Sequence, residues 1–407
     1  MKGLKYIIGI AGLILVVLLV IYICSKPKPN YVVMLSLDGF RWDYAAGIPT
    51  PNLDYIAEHG VMAQSLRASF PTKTFPNHYS MATGLYPDNH GIVLNSFYDP
   101  DLDAYYHLME RSTVEDPKFY GGEPIWVTAE KQDLISASYF WVGSEAPVQG
   151  IQPTYWKRYD HGFPFHQRID TVIHWLNLPE EVRPRLITFY MHEPDGIGHK
   201  AGPESQELYN TVVYLDSLVG VLIKKINALP IASQVNIIVT SDHGMGPISN
   251  ERRIVLEEHI EEEWFEVIQG YNPNYVFKVK DAFRDTALKA LKSIPHSHVW
   301  EHGKLPPRLN YGNNPRTLDI IMVADSSWSV VPYQDKEVSF GAHGYDNANK
   351  DMEAIFYAMG PAFKIRYVHP TFNNVDIYPL IARILELEPA PVDGKIENVE
   401  GMLVRMD

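Results

Sequence analysis

Three aspartates and three histidines in this sequence have spacings that suit metal binding. Asp195 and His199 are spaced i, i+4, which puts two side chains on one face of a helix or turn, and Asp242 and His243 are adjacent. The full set of candidate ligands is Asp38, Asp195, His199, Asp242, His243 and His343. Aspartate and histidine together suit zinc without any thiolate. Six such ligands are enough for two zinc ions, with positions left open for substrate.

Each of these residues also has an ordinary structural explanation when it is taken alone. An aspartate after a strand is commonly a turn or helix-capping residue. A histidine in a glycine-bearing loop, such as residues 341–344, is commonly a surface residue. The metal interpretation therefore depends on the set, whose members follow strands or lie in turns that contain glycine. Glycine lets the backbone turn sharply or approach closely beside a site.

A threonine between two prolines is the candidate nucleophile. The segment FPTKTFPNHY, residues 70–79, places Thr74 between Pro71 and Pro76. The same pattern is typical of a helix N-terminus with proline in its first turn, and the two interpretations are compatible. A hydroxyl at a helix N-terminus faces free backbone N–H groups that bind anions. A metal ion on its oxygen would favour the alkoxide, which a free threonine does not supply near neutral pH.

Three apolar runs are expected to position these residues. They are Tyr31–Leu37, Leu186–Met191 and Val235–Thr240, and each has the continuous hydrophobic pattern of a strand buried on both faces. Helical stretches such as residues 207–229 lie between them. This alternation predicts an α/β sandwich, with a mostly parallel central sheet between helices. Because the site of such a sheet lies outside the carboxyl ends of its strands, the aspartates that follow the runs are expected to converge.

The rest of the chain is expected to complete one domain over residues 30–407. Residues 250–314 carry weaker strand signals, one amphipathic stretch at 281–294 and many prolines. We interpret this segment as a small inserted lobe beside the sheet. Strand-like runs return at 316–324 and 353–359, and residues 375–387 have the pattern of a final helix.

The N-terminus differs from the rest of the chain in composition. Residues 6–24 are almost wholly apolar, and no small-residue cleavage site follows them. Residues 1–29 are therefore predicted to form an uncleaved signal anchor and linker, with the membrane as partner and the body outside the cytoplasm. A cleaved signal, or lipid attachment at Cys24, is the alternative. Cys24 is the only cysteine, and export without disulfides is typical of a bacterial envelope protein.

The overall charge restricts the class of partner. The formal net charge is -14, from 35 basic and 49 acidic residues. Nucleic acid is therefore not expected as the main partner, because proteins that bind its backbone carry basic surfaces. Small phosphate substrates stay compatible with this charge, because bound metal supplies local positive charge.

Several long motifs resemble those of one enzyme family. The segment FPTKTFPNHYSMATGLYPDNHGIVLNSFYDP, residues 70–100, resembles the nucleophile region of the nucleotide pyrophosphatase/phosphodiesterase family, within the alkaline phosphatase superfamily. LDGFRWDY, GEPIWVTAE, EPDGIGHKAGP, SDHGM and the His343 segment are similar to its other motifs and occur in the same order. The resemblance implies an alkaline phosphatase-like fold. Nothing here corresponds to the disulfide-stapled extra domains of animal members, so the chain resembles a minimal bacterial-type catalytic domain.

The resemblance implies a metal centre and a nucleophile. The zinc-binding residues that it implies form two sets: Asp38, Thr74, Asp242 and His243 for one ion, and Asp195, His199 and His343 for the other. Thr74 would attack phosphorus, and Asn95 would bind a phosphate oxygen beside it. A backbone N–H near Thr74 is expected to share that role as an oxyanion hole.

The resemblance also implies a substrate site. Phe75 and Tyr159 match aromatic residues that enclose a nucleotide base. The local spacing leaves Tyr155 and Trp156 open as alternatives to Tyr159. Lys73 is expected as a neighbour of the phosphate.

These roles predict a zinc-dependent phosphodiesterase or pyrophosphatase that releases nucleoside monophosphate through a covalent threonine intermediate. A phosphodiesterase of lysophospholipids or choline headgroups, also known in this family, is the first alternative. A non-catalytic, membrane-tethered binding protein is the second, and the complete ligand set with Thr74 weighs against it. Sulfatases of the superfamily are disfavoured, because they need a cysteine or serine that is converted to an aldehyde. Phosphomonoesterases are disfavoured, because that branch typically has a serine nucleophile and an arginine that holds the extra phosphate charge.

Overall fold

The structure is a computed structural model that describes residues 29–405 of the protein. The predicted signal anchor at residues 6–24 lies outside the described residues. Among the helices that are described, none has the length and apolar character needed to cross a bilayer.

The strands and helices are numbered here in chain order. The strands are β1 Tyr31–Leu37, β2 Gly60–Ala63, β3 Leu66–Arg67, β4 Ser96–Asp99, β5 Ala104–His107, β6 Ser136–Tyr139, β7 Tyr155–Lys157, β8 Leu186–Met191, β9 Val235–Thr240, β10 Gly246–Pro247, β11 Arg253–Val255, β12 Phe265–Tyr271, β13 Asn274–Val279, β14 Ser297–Glu301, β15 Ile320–Ala324, β16 Ser329–Val331, β17 Gly341–Ala342, β18 Phe356–Met359, β19 Tyr367–His369 and β20 Phe372–Asn373. The helices are α1 Tyr44–Gly47, α2 Pro51–His59, α3 Thr74–Thr83, α4 Pro87–His90, α5 Arg111–Val114, α6 Ile125–Lys131, α7 Phe165–Leu176, α8 Asp195–Ala201, α9 Gln206–Asn227, α10 Arg284–Lys292 and α11 Ile377–Leu385.

The central sheet has eight strands in the order β19-β2-β18-β9-β1-β8-β6-β7. Strand β1 is parallel to both of its neighbours, with Val32 opposite Leu186 of β8 and Asn236 of β9. The parallel arrangement continues through β6 and β7. Strand β18 is antiparallel to β9 and to β2. The sheet is thus mixed and mostly parallel, which confirms the predicted α/β fold class.

Helices cover both faces of this sheet, so β1 is buried along its whole length. Alternate side chains of a strand point to opposite faces. Val33 and Leu35 enter a core with residues of α2, α7 and α9, whereas Val32 and Met34 enter a second core with residues of α3, α6 and α11. The continuous apolar run that predicted a parallel strand follows from these two cores, because neither face of β1 meets water.

A smaller antiparallel sheet, in the order β12-β13-β15-β14, forms a lobe beside the central sheet. Its own core contains Phe277, Leu291 and Met322. Helix α10, which supplies Leu291, occupies the amphipathic stretch predicted within residues 281–294. Strand β15 pairs with β13 and β14, so the lobe extends beyond residue 314, the boundary that the sequence suggested. An apolar run cannot by itself reveal which of two sheets it joins.

The N-terminus of α2 is capped by a side chain from another helix. Asp216 of α9 accepts hydrogen bonds from the backbone N–H groups of Asn52 and Leu53 and from the side-chain amide of Asn52, at 2.7–3.2 Å. Its carboxylate is buried. A buried anion at a helix N-terminus satisfies donors that would otherwise have no partner.

We expect Asp216→Ala to lower the free energy of unfolding by about 2 kcal/mol, because it leaves buried N–H donors unsatisfied. Asp170→Ala, which removes an exposed partner of Lys225, should cost less than about 1 kcal/mol. Denaturant unfolding of both variants measures the difference. Equal losses would contradict the capping role.

Candidate metal centre

The carboxyl ends of three adjacent strands bring the predicted aspartates together. Asp38 directly follows β1, Asp242 lies two residues beyond β9, and Asp195 begins α8 just after β8. The Asp195 backbone N–H donates to the Asp38 carbonyl oxygen at 3.0 Å. Gly39 has φ +69°, and a Cβ there would lie 3.0 Å from Asp195 Cα. This contact explains why the turn after β1 needs glycine.

The predicted ligands form two adjoining clusters. In the first, His243 Nε2 lies 3.0 Å from Asp242 Oδ2, 3.5 Å from Asp38 Oδ1 and 3.2 Å from the Thr74 hydroxyl. In the second, Asp195 Oδ1 lies 3.5 Å from both His199 Nε2 and His343 Nε2. The rings of His243 and His343 stack with centroids 3.6 Å apart.

The three imidazoles are all held by backbone carbonyl oxygens. Their Nδ1 atoms lie 2.7 Å from the Gly341 oxygen for His199, 2.9 Å from the Gly244 oxygen for His243, and 2.8 Å from the Thr72 oxygen for His343. A carbonyl oxygen only accepts, so each Nδ1 carries the proton. Each Nε2 therefore presents a lone pair to the carboxylates, which is the tautomer that a metal ligand needs.

Three carboxylate oxygens in these clusters are buried without a hydrogen-bond partner among the described residues: Asp38 Oδ1, Asp195 Oδ1 and Asp242 Oδ2. Burial, followed by the charges of Asp242 and Asp195, raises the pKa of Asp38 well above its usual value. Burial, followed by His243, lowers the pKa of His343 well below its usual value. Carboxylate oxygens without partners, beside imidazole Nε2 atoms, fit divalent metal cations.

Thr74, the predicted nucleophile, is the first residue of α3. The backbone N–H of the next residue, Phe75, donates to Asn95 Oδ1 at 2.9 Å. This bond orients the Asn95 amide and leaves its NH₂ group available as a donor. The oxyanion role predicted for a backbone N–H beside Thr74 does not apply to the N–H of Phe75, because that donor already bonds to Asn95.

Lys73 has a different environment from the one that its prediction implies. Its buried ammonium group donates to the carbonyl oxygens of His343, at 3.0 Å, and Asn272, at 2.5 Å. Burial lowers the pKa of Lys73 to about 7. These contacts join the nucleophile segment to the His343 turn and to the lobe. A contact between Lys73 and phosphate stays a prediction, and the ammonium group already has two acceptors.

The predicted base-binding aromatics lie on separate elements. Phe75 is half-buried, and its ring lies 6.3 Å from that of Tyr106. Tyr159 is also half-buried and packs 6.3 Å from Tyr190. Of the alternatives to Tyr159, Tyr155 stacks on Trp175 and donates its hydroxyl to the Val182 carbonyl oxygen. These contacts give Tyr155 a packing role, and the base-binding role of Tyr159 or Trp156 stays a prediction.

Two residues beside the centre were not singled out from the sequence. The Tyr190 hydroxyl donates to Asp38 Oδ2 at 2.5 Å, which leaves Oδ1 of that carboxylate for a cation. His78 lies with Asp38 and Asp242 in a further group of potential ligands. His78 follows Thr74 by one helical turn, and that spacing was the signal that could have identified it. Nothing in the apolar run LITFYM distinguishes Tyr190 from a core residue.

Comparisons with known proteins identify one family to which this chain is similar. The family model for type I phosphodiesterase/nucleotide pyrophosphatase matches residues 32–346. The chain is 37% identical over 387 residues to venom phosphodiesterase CdcPDE of Crotalus durissus collilineatus, covering 91% of this chain and 46% of that protein. It is 37% identical over 389 residues to ectonucleotide pyrophosphatase/phosphodiesterase family member 3 of Rattus norvegicus, covering 91% and 44%. The chain thus spans about half the length of these relatives.

A shorter relative matches over most of its length. Family member 5 of Homo sapiens is 33% identical over 380 residues, covering 93% of this chain and 79% of that protein. The solved structure of murine family member 5 superposes with a TM-score of 0.89 at 34% identity, covering 92% of this chain and 100% of that one. An inactive threonine-to-alanine variant of the murine protein, solved in complex with AMP, has the same TM-score of 0.89.

The raised pKa of Asp38 leads to a prediction about the thermal stability of the metal-free protein. A carboxyl whose pKa is raised in the folded state destabilises that state when it is ionised at neutral pH. Asp38→Asn removes one of the clustered charges, and the amide oxygen can still accept from Tyr190. In a chelator, we expect this variant to melt roughly 2–4 °C above the wild type.

Added divalent cation should reverse that order, because the wild type keeps the ligand that the variant has lost. Thermal unfolding in a chelator and in excess cation measures both effects. Asp170→Asn, an exposed change on α7, serves as the control and should shift neither melting point. A variant that melts below the wild type in the chelator would contradict the prediction.

Proposed function

The chain belongs to the type I phosphodiesterase/nucleotide pyrophosphatase family, and we propose that it hydrolyses nucleotide phosphodiester or pyrophosphate bonds to release nucleoside monophosphate. One observation carries this proposal. The Thr74 hydroxyl lies 3.2 Å from His243 Nε2, beside three aspartates that each have one oxygen without a hydrogen-bond partner among the described residues. A hydroxyl in such a place serves as a nucleophile activated by positive charge.

Two zinc ions are the proposed cofactors. Their ligands would be those of the two clusters, with Asp38, Asp242, His243 and Thr74 in one and Asp195, His199 and His343 in the other. Carboxylate and imidazole donors without thiolate agree with zinc. When bound, the ions would supply the positive charge that favours loss of the Thr74 proton and that balances charge on the phosphoryl group.

The proposed reaction has two displacements at phosphorus. The Thr74 oxygen forms a bond to phosphorus while the bond to the leaving oxygen breaks, which gives a nucleotidyl-threonine. Water then attacks the same phosphorus, and the Thr74–phosphorus bond breaks to release nucleoside monophosphate and the free hydroxyl. We expect the Asn95 NH₂ group to bind a non-bridging phosphate oxygen.

The substrate class is proposed from two kinds of support. Half-buried Phe75 follows the nucleophile directly, and Tyr159 contacts Tyr190, which bonds to Asp38. Two aromatic rings near one reacting centre suit a flat base, because each base that stacks contributes about 1–3 kcal/mol. The AMP complex of the murine relative adds to this support. A lysophospholipid or choline-headgroup diester is the alternative that the substrate assays must exclude.

The cellular location of the protein is also a proposal. We propose that residues 1–29 anchor the chain in a membrane and that residues 30–407 act outside the cytoplasm, as an envelope enzyme would. The support is the apolar composition of residues 6–24 and the prefix "ecto" in the names of family members 3 and 5.

The role of Thr74 provides the direct test of the function. Thr74→Ala should lower kcat on a nucleotide diester by about three orders of magnitude or more, because the nucleophile is lost. Thr74→Ser should keep part of the activity, because it keeps the hydroxyl. Thr83→Ala, at the other end of α3, is the matched control and should keep wild-type kcat. Mass spectrometry of rapidly quenched enzyme should find the nucleotidyl group on Thr74.

The same preparation tests the cofactor. Elemental analysis should give close to two zinc ions per chain, chelation should abolish turnover, and added zinc should restore it. Wild-type kcat in Thr74→Ala would show that the nucleophile is a different residue. Full activity in a chelator, without zinc in the sample, would exclude the proposed chemistry.

A second prediction concerns the base. Phe75→Ala and Tyr159→Ala, made singly, should each lower kcat/KM for a nucleotide diester by about 10- to 100-fold, because one stacking face is lost. Their kcat/KM for a small aryl phosphodiester, which has no base, should stay within about threefold. Tyr155→Ala is the control for packing and should lower stability without changing the preference between the two substrates. Equal losses on both substrates would assign Phe75 and Tyr159 to packing, and a wild-type preference for lysophospholipid would overturn the substrate class.

A further inference from the structure

A buried histidine that the reaction does not use lies directly behind the proposed nucleophile. His78 is on α3, one helical turn after Thr74, and its side chain has no solvent exposure. Its ring is held between the edges of Trp141 and Tyr190, each with a centroid distance of 5.1 Å. Trp141 also donates its indole N–H to the His78 carbonyl oxygen at 3.0 Å.

Both ring nitrogens of His78 are engaged. Nδ1 lies 3.0 Å from the Thr74 carbonyl oxygen and 3.3 Å from Asp242 Oδ2. The carbonyl oxygen only accepts, so Nδ1 carries the proton, and the neutral ring then accepts the Ser36 hydroxyl at Nε2 over 2.8 Å. With both nitrogens engaged, His78 has no lone pair for a cation, although it lies among the potential ligands.

These contacts join three segments that each supply part of the proposed centre. Ser36 lies two residues before Asp38 on β1, so the His78 ring is fixed to the strand that carries one carboxylate. The Nδ1–H group fixes the carbonyl of the nucleophile residue and faces the oxygen that Asp242 presents to the cluster. No other side chain in residues 29–405 forms this set of contacts.

We propose that His78 is a positioning residue that fixes the Thr74 backbone relative to Asp242 Oδ2. The Thr74 hydroxyl and this carboxylate oxygen are then held where both can bind one cation. This inference rests on the proposed function for the roles of Thr74 and Asp242. The groups that orient the ligands of a metal set its affinity and the activity of its site, typically by 10- to 100-fold. A displacement of about 1 Å at the nucleophile has an effect of similar size on turnover.

The chain contains a matched control in His90. This histidine is equally buried, pairs through Nε2 with the Ser80 hydroxyl at 3.0 Å, and packs against the edge of Tyr79 at 5.1 Å. Its Nδ1 accepts from the Ile92 backbone N–H at 3.1 Å. His90 therefore reproduces the burial and the serine pairing of His78, but its recorded bonds do not involve Asp38, Asp242 or Thr74.

The experiment compares His78→Phe, His78→Asn and His90→Phe in the full chain. Zinc affinity is measured by competition with a chromophoric chelator, stability by unfolding without metal, and kcat and KM on a nucleotide diester. His78→Phe should weaken the affinity for one of the two zinc ions by about 10- to 100-fold and lower kcat by a similar factor. The affinity for the second zinc ion and the KM should stay within about threefold of the wild-type values.

His78→Asn should recover part of both losses, because its amide can donate from near the position of Nδ1. His90→Phe should lose stability comparably but keep wild-type zinc affinity and kcat. Wild-type zinc affinity and kcat in His78→Phe would overturn the proposal, as would equal changes in the two phenylalanine variants. If His78→Phe does not fold, the zinc affinities of His78→Asn and Ser36→Ala test the proposal instead. Wild-type zinc affinity in both of these variants would overturn the proposal.

The zinc titration separates this inference from the proposed function. A wild-type protein that binds two zinc ions but hydrolyses no nucleotide ester would overturn the function, and the affinities of the variants would still decide the role of His78. A wild-type protein that binds no divalent metal would overturn both.

Discussion

Three aspartates crowd together at one edge of the central sheet, and the repulsion between their like charges must be offset for the protein to fold this way. Asp38, Asp195 and Asp242 each present an oxygen that has no hydrogen-bond partner among the described residues. Burial of an unpaired charge is costly, and like charges in one place add to that cost. Bound cations would offset both costs. A metal centre is therefore the simplest physical reason for placing these side chains together.

The surrounding residues prepare the site for that cation before any cation is bound. Backbone carbonyl oxygens hold the three imidazoles in the tautomer that turns Nε2 to the carboxylates. Tyr190 bonds to one oxygen of Asp38 and leaves the other for the cation. Since these contacts fix orientation in advance, binding would require little rearrangement, which is how a rigid site gains affinity.

The lobe contributes to the same preparation, although it carries none of the predicted ligands. Gln269 of β12 accepts the Tyr98 backbone N–H at 2.5 Å and donates to the Ser96 carbonyl oxygen at 2.6 Å. This bridge holds the strand that directly follows Asn95. The carbonyl of Asn272 accepts from Lys73, so the lobe also fixes the residue before Thr74. We infer that the lobe stabilises both the nucleophile segment and the phosphate-binding amide.

From the sequence alone, the centre of the sheet and the position of its three aspartates could be predicted. Three apolar runs of strand length predicted β1, β8 and β9, because strands between two helical layers have no polar face. The rule that sites lie at the carboxyl ends of parallel strands then placed Asp38, Asp195 and Asp242 together. Thr74 and His343 were assigned to this edge from their motifs, because hydrophobic periodicity does not predict their position.

Contacts between side chains that are distant in the chain could not be predicted, because they depend on how the elements pack. Whether β15 joins the central sheet or the lobe depends on its partners, and its composition suits either. Lys73 next to a nucleophile suggested phosphate, but the folded chain turns its ammonium group to two carbonyl oxygens. Tyr190 and His78 resemble core residues in sequence. Their hydrogen bonds to residues of the centre exist only because β1, β8 and α3 pack side by side, and short-range patterns carry no information about that packing.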